Sequence, residues 1–585
     1  MENGRVRLYF SRAQEDGSCN EISEPRSSCD DTQNTSQVFG VDIFEKDRSV
    51  IISTSTLGYP LPSLEDLSPG LYCVQADLFP YITYHRGDGY DLILPKSCVS
   101  DAGNDGKYRA PPGTLYSDVK TMKWPQEDEN KTEKIELVHK EPIPDSPGCS
   151  GLGHDTEWIK TVRIQSDLLS EFWGQEMLLE ACVLIPAGFY DKNDTKYPLV
   201  IAHGHYSAIF NPGGRFDFRK PGANVTGYAR YDQEAANWFA TNWSSLEPHG
   251  TFSNARALVI TINHPVPYFD DSYAVDSVNV GPYGSAIWKE LIPHVEKEFR
   301  GIGEGWARGV LGGSTGGWES LAYAVFYPEK INYAAIACPD PVSFTQFVTT
   351  NIYRDKNMFY YDSAFKRTLK PGTRDSYSGQ DVLPGTSTPT YGRAYGDTTA
   401  TIEEISRREI VLGHHSRSCG QWDIWEAVFG PQNQSTGYPA RLWCKDPKSS
   451  HCTYGEIDHD IAKYWQQNYD LRYIMERDWS HLGHELKGKL HIFVGASDTF
   501  FLTDAVMDLQ DFLESPNLDP PFEGTLEIGT HDGRGFNHCF NGYLPDGTPA
   551  PNAVTREMYI LKFLPRMAER WKNTAPEGSD LSWMY

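Results

Sequence analysis

One glycine-rich pentapeptide, Gly-Gly-Ser-Thr-Gly at residues 312–316, constrains the fold of this chain more than any other segment. It follows the apolar run Val310-Leu311 and leads into a helical pattern that is clear from Trp318 onward. Glycines permit a turn too tight for side chains. A G-x-S-x-G sequence between a strand and a helix is typical of a turn that exposes its serine above a sheet. The pattern therefore makes Ser314 a candidate nucleophile, although a glycine-rich turn with an incidental serine has the same sequence.

Apolar strand patterns alternate with helical patterns on both sides of this turn, from about Trp158 onward. The predicted strands are Met177 to Ile185, Tyr197 to His203, Ala257 to Ile262, Ala307 to Leu311, Ile331 to Cys338 and Lys489 to Val494. The predicted helices are Tyr283 to Phe299, Trp318 to Phe326, Thr503 to Leu513 and Ala553 to Trp571. This alternation indicates an α/β fold with a mostly parallel sheet covered by helices. Active residues of such sheets collect at the carboxyl ends of the strands.

Two other regions lack this alternation of strand and helix patterns. Residues 1–150 contain short β-rich runs broken by Gly, Pro, Ser and Asp turns, which predicts an N-terminal β-sandwich-like domain. Between about Phe344 and His484 the alternation lapses into polar, aromatic and Gly-rich loops with one helical stretch, Ile457 to Trp479. We therefore predict a core made of residues 151–345 and 485–585, with a cap of residues 346–484 inserted into it.

Composition excludes some classes of partner. With 53 basic and 79 acidic residues, the formal charge of −26 would repel nucleic-acid phosphates over most of the surface. A hydrophobic fraction of 39% and an aromatic fraction of 13% indicate a globular rather than a disordered chain. No window approaches the roughly 18 apolar residues that span a bilayer, and the first ten residues resemble a strand rather than a signal peptide. We expect no nucleic-acid partner and no membrane span, and the oligomeric state stays open.

Cysteines and glycosylation motifs bear on the compartment. Three pairs of the eleven cysteines are close in sequence and could close short loops: Cys19 with Cys29, Cys73 with Cys98, and Cys444 with Cys452. Glycosylation sequons begin at Asn34, Asn130, Asn193, Asn224, Asn242 and Asn433. Together they favour a secreted, disulfide-bonded glycoprotein. A cytoplasmic enzyme with reduced cysteines and chance sequons is the alternative, since connectivity cannot be read from sequence.

Acyl transfer by a serine needs a base, an acid that orients the base, and two N–H groups that face the developing oxyanion. In a sheet of this type the order along the chain should be oxyanion loop, serine, acid, histidine. The apolar strand from Tyr197 ends in His203-Gly204-His205. This position would place the amide of His205 beside the serine, and the amide of Thr315 would be the second donor.

The acid has one leading candidate and two competitors. Asp498 follows the predicted strand at 490–494, in a turn just before the helix that opens near Leu502. Asp504 lies nearby, and Asp340 follows the preceding strand. An Asp at such a position also commonly caps a helix. We predict Asp498 as the acid, with Asp340 and Asp504 as alternatives.

Two histidines compete for the role of base. Thr525 to Ile528 is a predicted strand, and His531 lies near its end. His538 follows a Gly-rich loop that is long enough to return over the serine. The motif permits both residues, and we predict His538, with His531 as the alternative.

Several segments together resemble a known group, the esterase family of α/β-hydrolases that includes esterase D, feruloyl esterases and mycolyltransferases. The resemblance lies in Asp276 to Gly284, Glu290 to Glu296, Gly312 to Trp318, Tyr327-Pro328 and Gly495 to Asp498. It covers roughly residues 158–344 and 488–571. It implies an α/β-hydrolase fold in which Ser314 forms an acyl-enzyme with an ester, His538 is the base and Asp498 orients the base. The chain is much longer than the single-domain esterases it resembles, so their substrates are not transferred to it.

The function predicted is a carboxylic ester hydrolase that acts on carbohydrate-linked or phenolic esters and needs no cofactor or metal. His414-His415 and the segment Cys444 to His459 lack metal-ligand spacing. An aromatic wall for the substrate could come from Trp318, Trp422, Trp425 and Trp443, although core packing is the commoner role of such residues. A serine acyltransferase and a non-catalytic binding protein on a hydrolase scaffold are the alternatives. A prolyl-type peptidase is disfavoured because the leading region is too short for a propeller.

Overall fold

The computed structural model describes residues 3–19, 24–30, 35–44, 49–98, 101–102, 108–125, 132–142, 155–204, 216–225, 227–268, 271–374, 398–443, 454–531, 534–536, 538–539 and 556–585. Two large sheets lie within these ranges, one entirely antiparallel and one mixed.

The antiparallel sheet is built from the first part of the chain. Its strands are β1 (Gly4–Arg12), β2 (Gln37–Ile43), β3 (Gly58–Tyr59), β4 (Gly70–His85), β5 (Asp91–Pro95), β8 (Leu115–Tyr116), β9 (Lys120–Trp124) and β10 (His139–Lys140). A separate short hairpin pairs β6 (Asp101–Ala102) with β7 (Tyr108–Arg109). The strand order is β10-β8-β4-β1-β2-β3, and β5 and β9 also pair with β4. The long strand β4 is therefore the centre of this sheet.

The mixed sheet carries the Gly-rich turn. Its strands are β11 (Ile159–Gln165), β12 (Leu178–Leu184), β13 (Leu199–Ala202), β14 (Leu258–Asn263), β17 (Arg308–Gly313), β18 (Tyr333–Ala337), β23 (Leu490–Gly495), β24 (Thr525–His531) and β25 (Arg534–Gly535). The order is β11-β12-β14-β13-β17-β18-β23-β24-β25, and every pair from β14 to β24 is parallel. The remaining strands form small hairpins: β15 (Asp276–Ser277) with β16 (Gly281–Pro282), β19 (Tyr360–Asp362) with β20 (Arg367–Leu369), and β21 (Pro371–Arg374) with β22 (Thr398–Thr401).

Helices occupy most of the connections in the second part of the chain. They are α1 (Asp167–Trp173), α2 (Gly227–Trp243), α3 (Tyr283–Ala286), α4 (Ile292–Glu298), α5 (Thr315–Phe326), α6 (Ile402–Leu412), α7 (Gln421–Phe429), α8 (His459–Asn468), α9 (Leu471–Glu485), α10 (Leu502–Leu513) and α11 (Arg556–Thr574). A π-helical turn, Ile287–Leu291, joins α3 to α4. No helix in the described ranges combines the length and apolar composition needed to cross a membrane.

The predicted mostly parallel, helix-covered sheet is confirmed, with strand ends displaced by a few residues. The single helix predicted from Ile457 to Trp479 is wrong: Asp470 accepts a hydrogen bond from the amide of Tyr473 and starts α9 as a separate helix. Helices α6 and α7 were not predicted. Helix α7 is buried almost all round and so lacks a polar face, whereas α6 has buried residues at helical spacing, a signal that sequence reasoning missed. The division into domains, the sandwich form of residues 1–150 and the cap stay predictions.

The two sheets belong to one packed body. Tyr84, Leu92 and Leu94 of the antiparallel sheet lie in the same buried apolar cluster as the strands of the mixed sheet. Arg5 donates from Nε to the carbonyl of Val411 at the end of α6, over 2.9 Å. The antiparallel sheet is therefore packed against both the mixed sheet and helix α6.

Disulfides join segments that are distant in sequence. Cys19 is bonded to Cys73, and Cys98 to Cys419. The expected local pairs of Cys19 with Cys29 and Cys73 with Cys98 are therefore wrong, because strand pairing and packing bring more distant cysteines together. Four residues of the same predictions, Cys444, Cys452, Asn34 and Asn130, lie outside the described residues.

Candidate active site

Ser314 lies at a sharp turn between β17 and α5. Its backbone has φ 58° and ψ −125°, a combination that is rare for a residue with a side chain. A Cβ on Gly312 would overlap the backbone of Gly316, and a Cβ on Gly316 would lie 2.6 Å from the carbonyl of His203. The glycines are therefore required on both sides of the serine, and the turn has the geometry that the pentapeptide predicts.

The backbone and hydroxyl of Ser314 are held by the neighbouring strand and its turn. The Ser314 amide donates to the carbonyl of Ala337 at 3.1 Å and lies 3.3 Å from the sulfur of Cys338. The Ser314 hydroxyl donates to Oδ1 of Asp340 at 3.4 Å. The turn after β18 thus supplies the immediate surroundings of the serine.

The structure brings Asp498 and His538 together. Oδ2 of Asp498 lies 2.7 Å from Nδ1 of His538. Oδ1 of the same carboxylate accepts from the amides of Phe500 at 2.8 Å and Leu502 at 3.4 Å. Because a carboxylate only accepts hydrogen bonds, Nδ1 carries the proton, and Nε2 of a neutral imidazole is left as the acceptor.

The pKa of His538 is raised above its ordinary value of 6.5. Burial acts to lower this pKa, but the charge and hydrogen bond of Asp498 and the charge of Asp340 outweigh it. The imidazole is therefore a stronger base than a free histidine. A base of this kind acts in its neutral form, so its activity should increase as the pH rises through its pKa.

A third disulfide, Cys338–Cys539, lies between the serine and the histidine. Nε2 of His538 is 3.3 Å from the sulfur of Cys539 and 3.9 Å from that of Cys338, the atom that also contacts the Ser314 amide. The bond fastens the segment that carries His538 to the end of β18. Sequence reasoning missed it, although a cysteine directly after His538 and another beside the elbow strand were available signals.

The competing residues lie in different places. Asp340 is buried against the elbow. Asp504 is on α10. Its pKa is raised by burial and by the charge of Asp498, although the charge of Arg374 lowers it. His531 ends strand β24, and its side chain lies outside the described residues.

Of the two predicted oxyanion donors, only Thr315 falls within the described residues. It is the first residue of α5, and His205 lies outside them. The N-terminal end of a helix offers backbone N–H groups and a partial positive charge, which suits an anion at this position.

The aromatic residues near the site divide into buried and exposed groups. Trp318, Trp422, Trp425 and Trp443 are all buried. Their burial favours core packing over an aromatic wall for the substrate. Phe500 is 41% exposed, and its ring meets that of His538 edge to face at 4.9 Å. Phe500 is the described aromatic side chain that both contacts the candidate base and faces solvent.

Within the part of the chain that the structure describes, two clusters contain residue types that bind metals. In the first, His538 with Cys338 and Cys539, the disulfide removes both thiolates. In the second, His264, Asp271 and Glu319 are buried with their polar atoms within 4.8 Å of one another.

In this second cluster, Nδ1 of His264 accepts from the Ser272 amide at 3.3 Å, so its proton is on Nε2, 3.8 Å from Glu319. Burial and the charge of Glu319 raise the pKa of Asp271 well above its ordinary value. A ligating imidazole would instead donate its second N–H outward, so these contacts favour a hydrogen-bonded network over a metal site.

The chain matches no protein-family model and no curated protein. Among solved structures it is similar to a ferulic acid esterase at 13% identity and a TM-score of 0.34, over 71% of this chain and 98% of that chain. It is also similar to the S-formylglutathione hydrolase of Staphylococcus aureus at 14% identity and a TM-score of 0.31, over 70% of this chain and 98% of that chain. The S-formylglutathione hydrolase of Agrobacterium tumefaciens is similar at 10% identity and a TM-score of 0.32, over 72% of this chain and 99% of that chain. These three structures are named as an esterase and two hydrolases. Similarity at this level carries no argument about substrate or site residues.

Proposed function

We propose that this protein is a serine hydrolase that cleaves carboxylic esters through an acyl-enzyme. The observation that carries the proposal is the 2.7 Å contact between Asp498 and His538 beside a serine with φ 58° at a strand-to-helix turn. Strained backbone of this kind persists where the surrounding structure holds it in place, and it is concentrated at active sites.

In the first half of the reaction, Ser314 attacks the ester carbonyl carbon. Its Oγ forms the new bond to carbon while Nε2 of His538 takes the hydroxyl proton, and the carbonyl π electrons move to the oxygen. The tetrahedral intermediate collapses, the bond to the alcohol oxygen breaks, and His538 gives its proton to the departing alcohol. Asp498 keeps the imidazole in the required tautomer and stabilises its positive charge.

In the second half, water replaces the alcohol. His538 takes a proton from water, the hydroxide oxygen bonds to the acyl carbon, and a second tetrahedral intermediate forms. Its collapse breaks the bond to Ser314 Oγ, which regains its proton from His538, and the carboxylic acid leaves. The amides of Thr315 and His205 are the proposed oxyanion donors. One such donor is worth about 2.7 to 4 kcal/mol in the transition state.

The proposed substrates are carbohydrate-linked or phenolic esters. Support comes from Phe500, whose ring is 41% exposed and stands against His538. A ring at this position can pack against an aryl group or the apolar face of a sugar next to the scissile bond.

An oxidising compartment suits the chain, and we propose that it is secreted. Cys19–Cys73, Cys98–Cys419 and Cys338–Cys539 are disulfide-bonded, and such bonds persist mainly outside the cytosol. Asn193, Asn224 and Asn433 are exposed, so a glycan on these sequons would have room to project.

The test is covalent labelling by a fluorophosphonate together with hydrolysis of a panel of aryl and sugar esters. Parent protein should be labelled and active, whereas Ser314→Ala and His538→Ala should lose both properties and His531→Ala should keep them. A parent that is neither labelled nor active on any ester contradicts the proposal. If His531→Ala loses labelling and activity while His538→Ala keeps them, His531 is the base instead of His538. Adding a competing alcohol and analysing the products separates hydrolysis from acyl transfer.

A further inference from the structure

A second carboxylate, Asp340, is buried directly beside the proposed nucleophile. It is 4% exposed, and its Oδ1 accepts the Ser314 hydroxyl at 3.4 Å. The Asp340 amide also donates to the carbonyl of Ser314 at 3.3 Å, so the two residues are joined through backbone and side chain. The three reacting groups described above leave this carboxylate without an assigned role.

The other oxygen of Asp340 is held by Tyr273. The Tyr273 hydroxyl donates to Oδ2 of Asp340 at 2.5 Å, and Thr315 Oγ1 donates to the same oxygen at 3.0 Å. Burial, followed by the charges of Asp340 and Asp271, raises the pKa of Tyr273 well above its ordinary value. Tyr273 therefore stays protonated and remains a donor to Asp340.

Tyr273 is held in an unusual conformation. Its φ is 55°, in the left-handed region that is unfavourable for a residue with a side chain. Its ring packs edge to face on Trp318 at 5.4 Å and on Phe429 at 5.5 Å. Packing on both the elbow helix and α7 holds the ring in one position despite this cost.

Helix α7 of the inserted segment completes the arrangement. Trp425 Nε1 donates to the Tyr273 hydroxyl oxygen at 2.6 Å, and Gln421 Nε2 donates to the same oxygen. A phenol has one donor and two acceptor positions. Asp340 accepts from the Tyr273 hydroxyl, these two groups donate to it, and Thr315 Oγ1 lies 3.3 Å from it, so polar groups surround the hydroxyl and fix its orientation.

We propose that Tyr273 and Asp340 are positioning residues that connect helix α7 to Ser314. Tyr273 fixes the Asp340 carboxylate, and Asp340 holds the Ser314 hydroxyl in the resting enzyme, from which the hydroxyl turns to Nε2 of His538 to react. The charge of Asp340 also acts on His538. This inference rests on the proposed function, since it requires Ser314 to be the nucleophile and His538 the base. It assigns the inserted segment a direct influence on the reactivity of the serine.

The test compares Asp340→Asn with Tyr273→Phe in the full-length protein, using p-nitrophenyl acetate and the pH dependence of kcat/KM. The charged groups that raise the pKa of His538 are Asp498 and Asp340. Asp340→Asn removes one of them, so the acid limb of the profile should shift to lower pH. Tyr273→Phe keeps the charge of Asp340, so the acid limb of the pH profile should not shift. Because Asp340 loses one hydrogen bond, kcat should fall about tenfold while KM changes little.

The double variant and a control separate positioning from general damage. Because Tyr273 acts through Asp340, Tyr273→Phe in the Asp340→Asn background should cost much less than it does alone. Asp504→Asn removes a half-buried carboxyl on α10 and should shift the limb less than Asp340→Asn. Thermal melting of each variant shows whether it folds.

An unshifted limb in a folded Asp340→Asn, or additive losses in the double variant, would overturn the inference while leaving an active parent enzyme. A parent without esterase activity or labelling would instead contradict the proposed function. Should Asp340→Asn fail to fold, the inference is still decided by Tyr273→Phe, because an unchanged kcat would contradict it.

Discussion

Two turns of the mixed sheet, the one after β18 and the one after β23, place an aspartate at the same edge of neighbouring parallel strands. Asp498, after β23, is held by main-chain amides and contacts the imidazole. Asp340, after β18, is held by the hydroxyls of Tyr273 and Thr315 and accepts from the serine. The same topological position therefore holds a carboxylate in two different ways, through main-chain amides in one turn and through side-chain hydroxyls in the other.

The difference also concerns rigidity. Amides of Phe500 and Leu502 are part of the backbone of one short turn, so Asp498 is oriented by local structure. Asp340 depends on Tyr273, which is held by α7 from 148 to 152 residues further along the chain. The Asp498 carboxylate is thus held by amides of its own turn, whose backbone carbonyl also accepts from Arg374 Nε at 3.0 Å, whereas the Asp340 carboxylate is coupled to α7.

The largest contrast should come from removing each charge. Asp498→Asn should lower kcat by about 10⁴, because the imidazole loses both its tautomer and the partner of its positive charge. Asp340→Asn should lower kcat far less, since the bond between Asp498 and His538 remains. Steady-state kinetics on an aryl ester measures both. Equal losses in the two variants would show that the two turns are not functionally distinct.

The disulfide beside the site should have the next largest effect. Cys338→Ser with Cys539→Ser should lower kcat by about 10²-fold, because a shift of about 1 Å in His538 is enough for such a loss. The matched control is Cys19→Ser with Cys73→Ser, which removes a bond of the antiparallel sheet. Rates and melting temperatures are compared, and a similar fall in kcat for both pairs argues against a positioning role of the first bond.

A smaller effect is expected at the exposed ring next to the turn after β23. Phe500→Ala should raise KM about two- to tenfold for aryl esters, and less for acetyl esters of small alcohols, because one ring contact is lost. Phe44→Ala, at a similarly exposed phenylalanine just after β2, is the control and should leave KM unchanged for both kinds of ester. Identical KM changes for aryl and alkyl esters would remove Phe500 from the substrate contacts.

The smallest effect concerns stability and pH. The folded pKa of His538 is raised, so its ion pair with Asp498 stabilises the fold fully below the unfolded pKa, near 6.5. This contribution is lost as the pH rises through the folded pKa, while activity increases over the same window. The melting temperature of the parent relative to His538→Gln should therefore fall with pH. A constant difference across this window would contradict the raised pKa.

The sequence predicted the elbow and the strands around it because glycine spacing and apolar runs are local signals. The prediction of Asp498 and His538 as the acid and base depended on their order after the serine, and the structure places them in contact. The Cys338–Cys539 bond was not predicted, because it joins residues 201 apart and the cysteines beside each segment do not by themselves indicate their pairing.

The role proposed for Tyr273 was equally hidden in the sequence. Tyr273 lies in an irregular segment after β14, and a positive φ in a buried tyrosine has no sequence pattern. Its hydrogen-bond partners come from three separate parts of the chain. Only the tertiary structure brings these parts together.

The Cys98–Cys419 bond has a consequence for how the chain is made. Its two cysteines are 321 residues apart, and the serine elbow lies between them. During synthesis, Cys98 must wait until the elbow and helix α6 have left the ribosome before its partner exists. The antiparallel sheet is thus covalently joined to the rest of the protein only after the elbow has been made, and from then on the closed loop around the elbow restricts the conformations of the unfolded chain.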